Sequence, residues 1–376
     1  MKPISMVDLR SQYLKIKNEV SAGISDVIET ASFINGPAVK NFSNHLSEYL
    51  GVKHVIPTGN GTDALQIALM ALDLQPGDEV ITSDFTFIAT VEVIALLKLK
   101  PVLVDVHPDY FTLLPEAVEK AITPKTKAII PVHLFGQAAP MEELLDIAKR
   151  HNIAIIEDTA QALGSEYQFN NGTTQKLGTI GTMGCTSFFP SKNLGGYGDG
   201  GAIFTNDDTL AAYLRSIVNH GMTVRYYHDT IGVNSRLDSI QAAILDVKLK
   251  HLDEYNNARQ KAANYYNEKF NDCTKITTPA IFSHSNHIYH QYTLKIENAD
   301  RDALKDYLLS KEIPCAVYYP VPLHLQKAYQ HYGFSDADFP VTNQLSKVVL
   351  SLPMHTELEK EQLDYISSHV LEFLTK

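Results

Sequence analysis

The chain has 376 residues, of which 44% are hydrophobic and 20% are charged. This is the composition of a globular protein with a sizeable core, and the length predicts two domains, or one large and one small. The formal net charge is −11. Nonspecific binding to nucleic acid needs Lys and Arg side chains on phosphates, so the charge argues against it, although a local basic pocket for a small anion is compatible with it.

The first residues, MKPISMVDLRSQYLK, lack the basic and then apolar pattern of a secretion signal. Apolar runs such as IALMAL are far shorter than the roughly 20 residues that a membrane helix needs. Cys185, Cys273 and Cys315 are odd in number and far apart, which excludes a complete disulfide framework and a CxxC metal site. We therefore expect a cytoplasmic protein with reduced thiols and no membrane segment.

Short apolar runs alternate with helical patterns through the first part of the chain. In order, the predicted elements are a strand at 55–57, a helix over TDALQIALMALD, a strand at 79–82, a helix over IATVEVIALLKL, a strand at 101–106, a helix over LPEAVEKAI, a strand at 128–132, a helix over MEELLDIAKRH and a strand at 153–156. Short apolar strands between helices predict a mainly parallel sheet covered on both faces. The fold class is therefore α/β, with a large three-layer domain.

The pattern changes after residue 238. An apolar stripe predicts one long helix or two in tandem over 238–270, and it is formed by Ile240, Ala243, Ile244, Val247 and Leu252. Beyond it, IYHQYTLKI, a helical DRDALKDYLLSKE and a terminal helix from 357 predict a smaller α+β unit. We place a large domain at 1–250 and a small C-terminal domain at 251–376.

The first segment with candidate chemistry is the turn TGNGTDA, from Thr58 to Ala64, between a strand and a helix. Gly61 allows close backbone approach, and the helix start with the Thr62 hydroxyl suits a phosphate. The alternative is an ordinary turn in which Thr62 or Asp63 caps the helix. The segment is neither GxGxxG nor a P-loop, which disfavours dinucleotide and nucleoside triphosphate sites.

The second segment is the end of the strand IAIIE, where Asp158 follows Glu157 and precedes Gln161. Ligands of open α/β sheets gather at the carboxyl ends of strands, and a carboxylate there can pair with a pyridinium N–H. Glu157 is expected to face the other side of the strand. The alternative for Asp158 is a helix cap or a surface carboxylate.

The third segment surrounds Lys192, which lies among aromatic and small residues and precedes five glycines. A single lysine is usually a solvated surface charge, but this setting predicts partial burial. Burial lowers the pKa of an amine, which makes it a nucleophile and a proton shuttle. Ser187, in the same segment, is placed to bind a phosphate.

Together these segments resemble the fold-type-I, aspartate-aminotransferase-like superfamily, and within it the DegT/StrS family of nucleotide-sugar aminotransferases. The resemblance runs from Asp8 to His355 through the motifs NGTDAL, TFIAT, HLFGQ, EDTAQALG, SFFPSKNLGGYGDGGAIFTND and VNSRLDSIQAAIL. It implies pyridoxal 5′-phosphate (PLP) as cofactor, with a large domain, a small C-terminal domain and a homodimer. The implied cofactor residues are Lys192 (covalent link), Asp158 (pyridine nitrogen), Gln161 (phenolic oxygen), Phe87 (ring stacking), and Gly61, Thr62, Ser187 and the neighbouring subunit's Asn234 (phosphate).

The resemblance also implies the reaction. L-Glutamate gives its amino group to a nucleotide-linked keto sugar, and Lys192 is the general acid and base. The segment KNLGGYGDGG resembles family members that aminate carbon 3 of the sugar. The chain looks most like those that use UDP-2-acetamido-2-deoxy-3-oxo-glucuronate in surface-polysaccharide pathways, such as O-antigen synthesis. A dTDP-3-oxo-6-deoxyhexose is the alternative substrate.

Several residues are implied to contact the sugar nucleotide. Arg236 is expected to form a fork onto the uronate carboxylate, with a structural ion pair as the alternative. Tyr318 and Tyr319 stand where the uronate enzymes tend to have His-Tyr, and His324 follows Leu323 as in the dTDP-sugar enzymes. Arg225 opens a basic, aromatic cluster suited to a diphosphate and a base, with a plain surface loop as the alternative.

The sequence is less consistent with three other classes of protein. A PLP-dependent sugar dehydratase is implied to carry His in place of the lysine, so Lys192 argues against it. A non-catalytic regulator on the same fold would need a DNA-binding segment, and no basic helix-turn-helix pattern is present. A nicotinamide oxidoreductase would need the missing dinucleotide fingerprint.

Overall fold

The computed structural model describes residues 1–375. Its helices are α1 (Leu9–Glu29), α2 (Pro37–Leu50), α3 (Gly61–Met70), α4 (Ala89–Leu96), α5 (Pro115–Ala121), α6 (Met141–His151), α7 (Asp208–Ile217), α8 (Ser239–Leu249), α9 (Leu252–Phe270), α10 (Arg301–Ser310), α11 (Pro340–Val348) and α12 (Lys360–Thr375). Its strands are β1 (His54–Thr58), β2 (Glu79–Ser83), β3 (Lys100–Val104), β4 (Thr126–Ile130), β5 (Ala154–Asp158), β6 (Glu166–Gln168), β7 (Thr174–Lys176), β8 (Met183–Ser187), β9 (Gly201–Thr205), β10 (Met222–Val224), β11 (Tyr227–His228), β12 (Ile276–Thr277), β13 (Tyr292–Ile296) and β14 (Val349–Leu352). Within 1–375, no helix combines the length and apolarity needed to cross a bilayer.

A seven-stranded sheet organises the first two thirds of the chain, in the order β1-β9-β8-β5-β4-β2-β3. The strands β3, β2, β4, β5 and β8 pair in parallel, whereas β9 runs antiparallel to both β8 and β1. The prediction of a mainly parallel α/β sheet is confirmed. Since β1 runs in the same direction as β8, the carboxyl ends of β1, β2, β5 and β8 share one edge, which is where ligands of such sheets bind.

Helices cover both faces of this sheet because successive strand residues point to opposite sides. On one face Ile156 packs with Leu65 of α3 and Leu214 of α7. On the other face Ile155 packs with Leu144 of α6 and Val118 of α5. Neighbouring residues of β5 thus belong to different cores, which produces three layers.

The loop between β8 and β9 carries Lys192, and sequence reasoning assigned no strand to either flank. β8 (MGCTS) and β9 (GAIFT) are short, but all of β9 and all of β8 except Ser187 are buried. They pair from Gly184–Phe204 to Ser187–Gly201. The glycine-rich segment is therefore the connection of a β-hairpin at the edge where the ligand-binding loops meet.

The helical stretch over 238–270 is two helices in tandem, α8 and α9, which is one of the two predicted forms. Leu252, the first residue of α9, packs in the core of the large sheet domain, whereas Ala263, Tyr266 and Phe270 pack in a C-terminal core. That core covers the antiparallel sheet β12-β13-β14. The α9 helix therefore connects the two units, and a division near residue 250 stays a prediction.

Glu157 is a structural carboxylate on the far side of β5. It is fully buried and accepts hydrogen bonds from the N–H groups of Gly178 (2.8 Å), Ile180 (2.7 Å) and Gly181 (2.7 Å). The ring of His133 donates from Nε2 at 3.0 Å, because its Nδ1 accepts the N–H of Ala139. These donors compensate for the burial of the charge.

We predict that Glu157→Gln lowers the free energy of unfolding by about 3 kcal/mol, because an amide NH₂ would face backbone donors that need an acceptor. Urea denaturation of the apo protein, followed by circular dichroism, measures the change. Glu268→Gln, on an exposed face of α9, is the matched control and should change stability by less than about 0.5 kcal/mol. Equal stability of the two variants would contradict this role.

Candidate active site

The start of α3 forms an anion seat. Asn60 is its N-cap, since its side chain accepts the N–H of Asp63 at 2.8 Å. The alternative in which Thr62 or Asp63 caps this helix is therefore wrong, because the side chain of Asn60 is the cap. The N–H groups of Gly61 and Thr62, in the first turn, have no acceptor within the helix. The positive end of the helix dipole lies at the same place, which suits an anion.

Ser187 lies against this helix start. A Cβ at Gly61 would be 2.6 Å from the Cβ of Ser187 and 3.2 Å from its hydroxyl oxygen. Only glycine allows this close approach. The structure thus brings Ser187 to the start of α3 at Gly61 and Thr62, more than a hundred residues earlier in the sequence, and together they form the cradle predicted for a phosphate.

Asp158 ends β5 and is 6% exposed. One oxygen accepts the Thr90 hydroxyl at 2.8 Å and the other accepts the N–H of Ala160 at 3.1 Å. Two donors hold the carboxylate in orientation and leave acceptor capacity for a ligand N–H. Thr90 was not predicted as a site residue, although the motif TFIAT contains it. The position of Thr90 in the first turn of α4 was the available signal.

Lys192 is partly buried in the β8–β9 loop, where its N–H donates to the carbonyl of Phe189 at 2.8 Å. Burial lowers the pKa of its amine to about 8, and the negative charge of Asp158 opposes this shift. The Asp158 carboxylate is therefore near enough to the Lys192 amine for its charge to act on it. An amine with this pKa is partly unprotonated near neutral pH and is both a nucleophile and a base.

The loop around Lys192 is held by polar contacts that the sequence did not show. Asn193 donates to Asn256 Oδ1 at 2.7 Å and contacts His290 Nδ1 at 3.2 Å. The buried Lys248 donates to the carbonyl of Gly195 at 2.5 Å. The acceptors and donors come from α8, α9 and the segment before β13, so several elements fix the loop that carries the amine.

Aromatic side chains form a wall beside this pocket. Phe87 is 55% exposed, and its ring centroid lies 6.4 Å from that of Tyr319. Gln161 donates to the Tyr319 hydroxyl at 3.1 Å and accepts the N–H of Phe135 at 2.7 Å. The predicted cofactor residues Phe87 and Gln161 thus stand next to the predicted sugar residues Tyr318 and Tyr319.

The other predicted sugar-nucleotide residues lie in different settings. The ring of His324 is buried, and its two nitrogens contact Asp84 (2.6 Å) and Asp336 (3.0 Å). Arg236 borders a cavity of about 260 Å³ and donates to Asn219 at 3.5 Å; within residues 1–375 it has no carboxylate partner, so the ion-pair alternative is not formed in this chain.

Arg225 and Asn234 are both exposed to solvent. Arg225 stands on the hairpin of β10 and β11, with its guanidinium 5.0 Å from the ring centroid of Tyr226. Asn234 follows this hairpin and forms a backbone bridge with Asn219. The structure of the single chain therefore presents both side chains outward rather than placing them beside the Lys192 amine.

An α/β sheet whose ligand edge joins a lysine of lowered pKa, a buried carboxylate and an anion seat defines a class of enzymes that perform covalent amine chemistry with a phosphorylated cofactor. The chain belongs to the DegT/DnrJ/EryC1/StrS aminotransferase family, whose model matches residues 14–371.

Similar proteins carry more specific names. The chain is 45% identical over 372 residues to a pleiotropic regulatory protein of Geobacillus stearothermophilus, with 98% of each chain covered. It is 44% identical to a UDP-2-acetamido-2-deoxy-3-oxo-D-glucuronate aminotransferase of Pseudomonas aeruginosa, covering 96% of this chain and 98% of that protein. A UDP-N-acetyl-3-dehydro-α-D-glucosamine 3-aminotransferase of Acidithiobacillus ferrooxidans is 43% identical, with 97% and 96% covered.

Solved structures show the same fold. A DegT/DnrJ/EryC1/StrS aminotransferase from Brucella abortus superposes with a TM-score of 0.94 at 43% identity, covering 99% of this chain and 100% of the other. The PLP form of a sugar aminotransferase from Streptococcus pneumoniae superposes with a TM-score of 0.88 at 26% identity, covering 98% and 97%.

We predict that in the apo protein Lys192 reacts with trinitrobenzenesulfonate with a midpoint near pH 8, because burial disfavours its charged form. Peptide mass spectrometry at a series of pH values measures the modified fraction at each lysine. The exposed Lys360, whose pKa is raised by Asp364, should react only at higher pH. In Asp158→Asn the midpoint at Lys192 should fall further, since the lost carboxylate favours the ammonium form; a rise would contradict the arrangement.

Proposed function

We propose that this protein is a PLP-dependent aminotransferase that moves the amino group of L-glutamate to carbon 3 of a nucleotide-linked 3-keto sugar, with UDP-2-acetamido-2-deoxy-3-oxo-glucuronate as the sugar. The observation that carries the proposal is that one sheet edge holds Lys192, whose pKa burial lowers to about 8, the buried Asp158, whose charge acts on that amine, and the close approach of Gly61 and Ser187. High identity over nearly the whole length to 3-aminotransferases of UDP sugars supports the choice of carbon 3 and of a UDP sugar.

The residues at the sheet edge fit PLP. Gly61, Thr62 and Ser187 would hold the phosphate, since a side chain at position 61 would fill the cradle. Asp158 would pair with the pyridine nitrogen, Gln161 would lie at the phenolic oxygen and Phe87 would cover one ring face. When bound, PLP withdraws electrons from the carbon that carries the amino group.

Lys192 would perform the proton transfers. With a pKa of about 8, its amine has an unprotonated fraction at neutral pH. It takes the α-proton of L-glutamate and, in the second half of the reaction, gives a proton to carbon 3 of the sugar. L-Glutamate leaves as 2-oxoglutarate and the keto sugar leaves as the amino sugar, so the reaction needs no external oxidant or reductant.

Tyr318, Tyr319 and Arg236 are assigned to the sugar: the two tyrosines stand in the aromatic wall beside Phe87, and Arg236 borders the cavity of about 260 Å³. Arg236 is only partly exposed, and its guanidinium is available for an anionic ligand because its contact in the chain is the neutral Asn219. A guanidinium binds a carboxylate with two parallel hydrogen bonds, which suits a uronate. The ring nitrogens of His324 contact Asp84 and Asp336, so this side chain is not assigned to the sugar itself.

We further propose a homodimer with shared active sites. The segment from β10 to Asn234 exposes Tyr226, Tyr227 and Ile231 at 76%, 69% and 87%, and such apolar exposure is typical of a protein interface. In the dimer, Asn234 would reach the partner's phosphate seat and Arg225 the partner's nucleotide. The free thiols Cys185, Cys273 and Cys315 suit activity in the cytoplasm.

The test of the activity begins with absorbance spectra of the PLP-reconstituted protein. We expect a visible band that L-glutamate bleaches and that UDP-2-acetamido-2-deoxy-3-oxo-glucuronate restores. Borohydride reduction should attach the cofactor to the peptide of Lys192. Lys192→Ala should lower turnover by about 10³-fold or more, because covalent attachment and proton transfer are both lost.

The sugar is identified with a panel of keto sugars. A dTDP-3-oxo-6-deoxyhexose, the sugar without the carboxylate, should have a far lower kcat/KM than the uronate, and Arg236→Leu should reduce this preference. A higher kcat/KM with the dTDP sugar would overturn the uronate assignment. A protein that binds PLP but transfers no amino group would overturn the proposed function and favour a regulator.

The shared site is tested by mixing two variants. Lys192→Ala and Asn234→Asp should each have little activity, the second because a carboxylate repels phosphate. If Asn234 acts in the partner's site, refolded equimolar mixtures recover about a quarter of the wild-type activity, since each mixed dimer has one intact site. If Asn234 acts within its own chain, the mixture stays inactive.

A further inference from the structure

Asp84 and His324 form a buried contact between the large sheet domain and the C-terminal part of the chain. Asp84 follows β2 and is 1% exposed, and His324 is 4% exposed. The Asp84 carboxylate accepts the backbone N–H of His324 at 2.8 Å and contacts its ring Nδ1 at 2.6 Å. The carbonyl of Asp84 also accepts the N–H of Leu323 at 3.4 Å. Asp84 thus makes three polar contacts with Leu323 and His324, which fixes the position of this segment on the sheet domain.

The ring of His324 is held on its other sides as well. Its Nε2 contacts Asp336 at 3.0 Å, and Asp336 in turn accepts the side-chain amide of Asn343 at 2.9 Å. The ring stacks on Phe339 with centroids 4.4 Å apart and an interplanar angle of 18°. A carboxylate thus faces each ring nitrogen of His324. Burial raises the pKa of Asp84 to about 6, and its hydrogen bonds with His324 oppose that shift.

Both partners stand directly behind the aromatic wall of the active site. Asp84 lies three residues before Phe87, and His324 lies five residues after Tyr319. The ring of Tyr319 contacts Phe85 at 6.0 Å and Phe87 at 6.4 Å. The segment from Tyr319 to His324 is thus held at one end by Gln161 and at the other by Asp84.

Two prolines, Pro320 and Pro322, lie between these two anchor points and restrict the backbone there. A restricted segment held at both ends transmits a shift at His324 to Tyr319, because few backbone angles can absorb it. The same shift acts on Phe87 through Asp84. His324 can therefore influence ligands that its own nitrogens do not touch.

We infer that Asp84 and His324 are a positioning pair that sets the distance between the Phe87 and Tyr319 rings, and through it the fit of the sugar nucleotide. This rests on the proposed function for its substrate. His324 is thus assigned to positioning and not to direct contact with the sugar, because both its ring nitrogens are already engaged by carboxylates.

The experiment compares His324→Leu, which removes both ring contacts, with His324→Asn, whose side-chain amide reproduces the Nδ1 donor toward Asp84. We expect His324→Leu to raise KM for the 3-keto UDP sugar about tenfold, while the rate at which L-glutamate bleaches the PLP band changes less than about threefold. His324→Asn should recover most of the KM. The circular dichroism of the PLP band should shift in His324→Leu, because the rings beside the cofactor move.

His331→Leu, in an exposed turn of the same C-terminal region, is the control and should leave KM and the PLP band unchanged. If His324→Leu does not fold, His324→Asn is compared with His324→Gln, which reproduces the Nε2 side. The inference requires Asn to be the better replacement. Equal KM values in Asn and Gln, or a fall in melting temperature with unchanged KM and unchanged circular dichroism, would overturn it.

The circular dichroism of the PLP band and the dissociation constant of PLP can both be measured without a sugar substrate. If the wild-type protein transfers no amino group to any keto sugar, the proposed function fails while these readouts still test the pair. A PLP band that is the same in wild type, His324→Leu and His331→Leu would then refute the positioning role. A band altered only in His324→Leu would support it.

Discussion

Strand β5 ends in two buried carboxylates, Glu157 and Asp158, which face opposite sides of the sheet. The fold depends on the first and the candidate site on the second. Glu157 is met by three backbone N–H groups and His133, which hold the chain between β5 and β8. Within residues 1–375, two donors meet Asp158, the Thr90 hydroxyl and the N–H of Ala160. A buried carboxylate needs such partners to offset its desolvation. Since Glu157 is saturated within the protein, it is structural, whereas Asp158 retains acceptor capacity for a ligand.

The same contrast between saturated and available groups organises the rest of the site. Lys192 has an amine whose pKa burial lowers, while the loop around it is tied down through Asn193 and Gly195. The loop that carries this amine is thus fixed, which is what proton transfer at a defined atom requires. At the wall of the pocket, Phe87 is exposed while the Asp84–His324 pair behind it is buried.

The strands and helices between His54 and Asp158 were predictable because each is a short apolar run or a helical stripe bounded by turns. The hairpin of β8 and β9 was not assigned, since its five-residue strands are separated by a long glycine-rich loop and their pairing is antiparallel within a mainly parallel sheet. Asn60 was not recognised as the cap of α3 because several residues of TGNGTDA have capping side chains, and only the structure shows which of them accepts a helix N–H. The tandem form of α8 and α9 was one of two equal alternatives, since the apolar stripe continues through the break at His251.

The sequence by itself determined the α/β class, and it indicated the three candidate segments and the roles proposed for Lys192 and Asp158, because these depend on local patterns and on residue types. Tertiary structure alone decided which side chains orient them. Thr90 meets Asp158 across 68 residues, Asn193 meets Asn256 across 63, and Asp84 meets His324 across 240. Such contacts depend on how the strands and the C-terminal unit are brought together, and hydrogen-bond partners at these separations leave no periodic pattern in the chain. The sequence therefore indicated His324 only as a sugar-nucleotide contact, and the fold shows that its ring is a buried partner of Asp84.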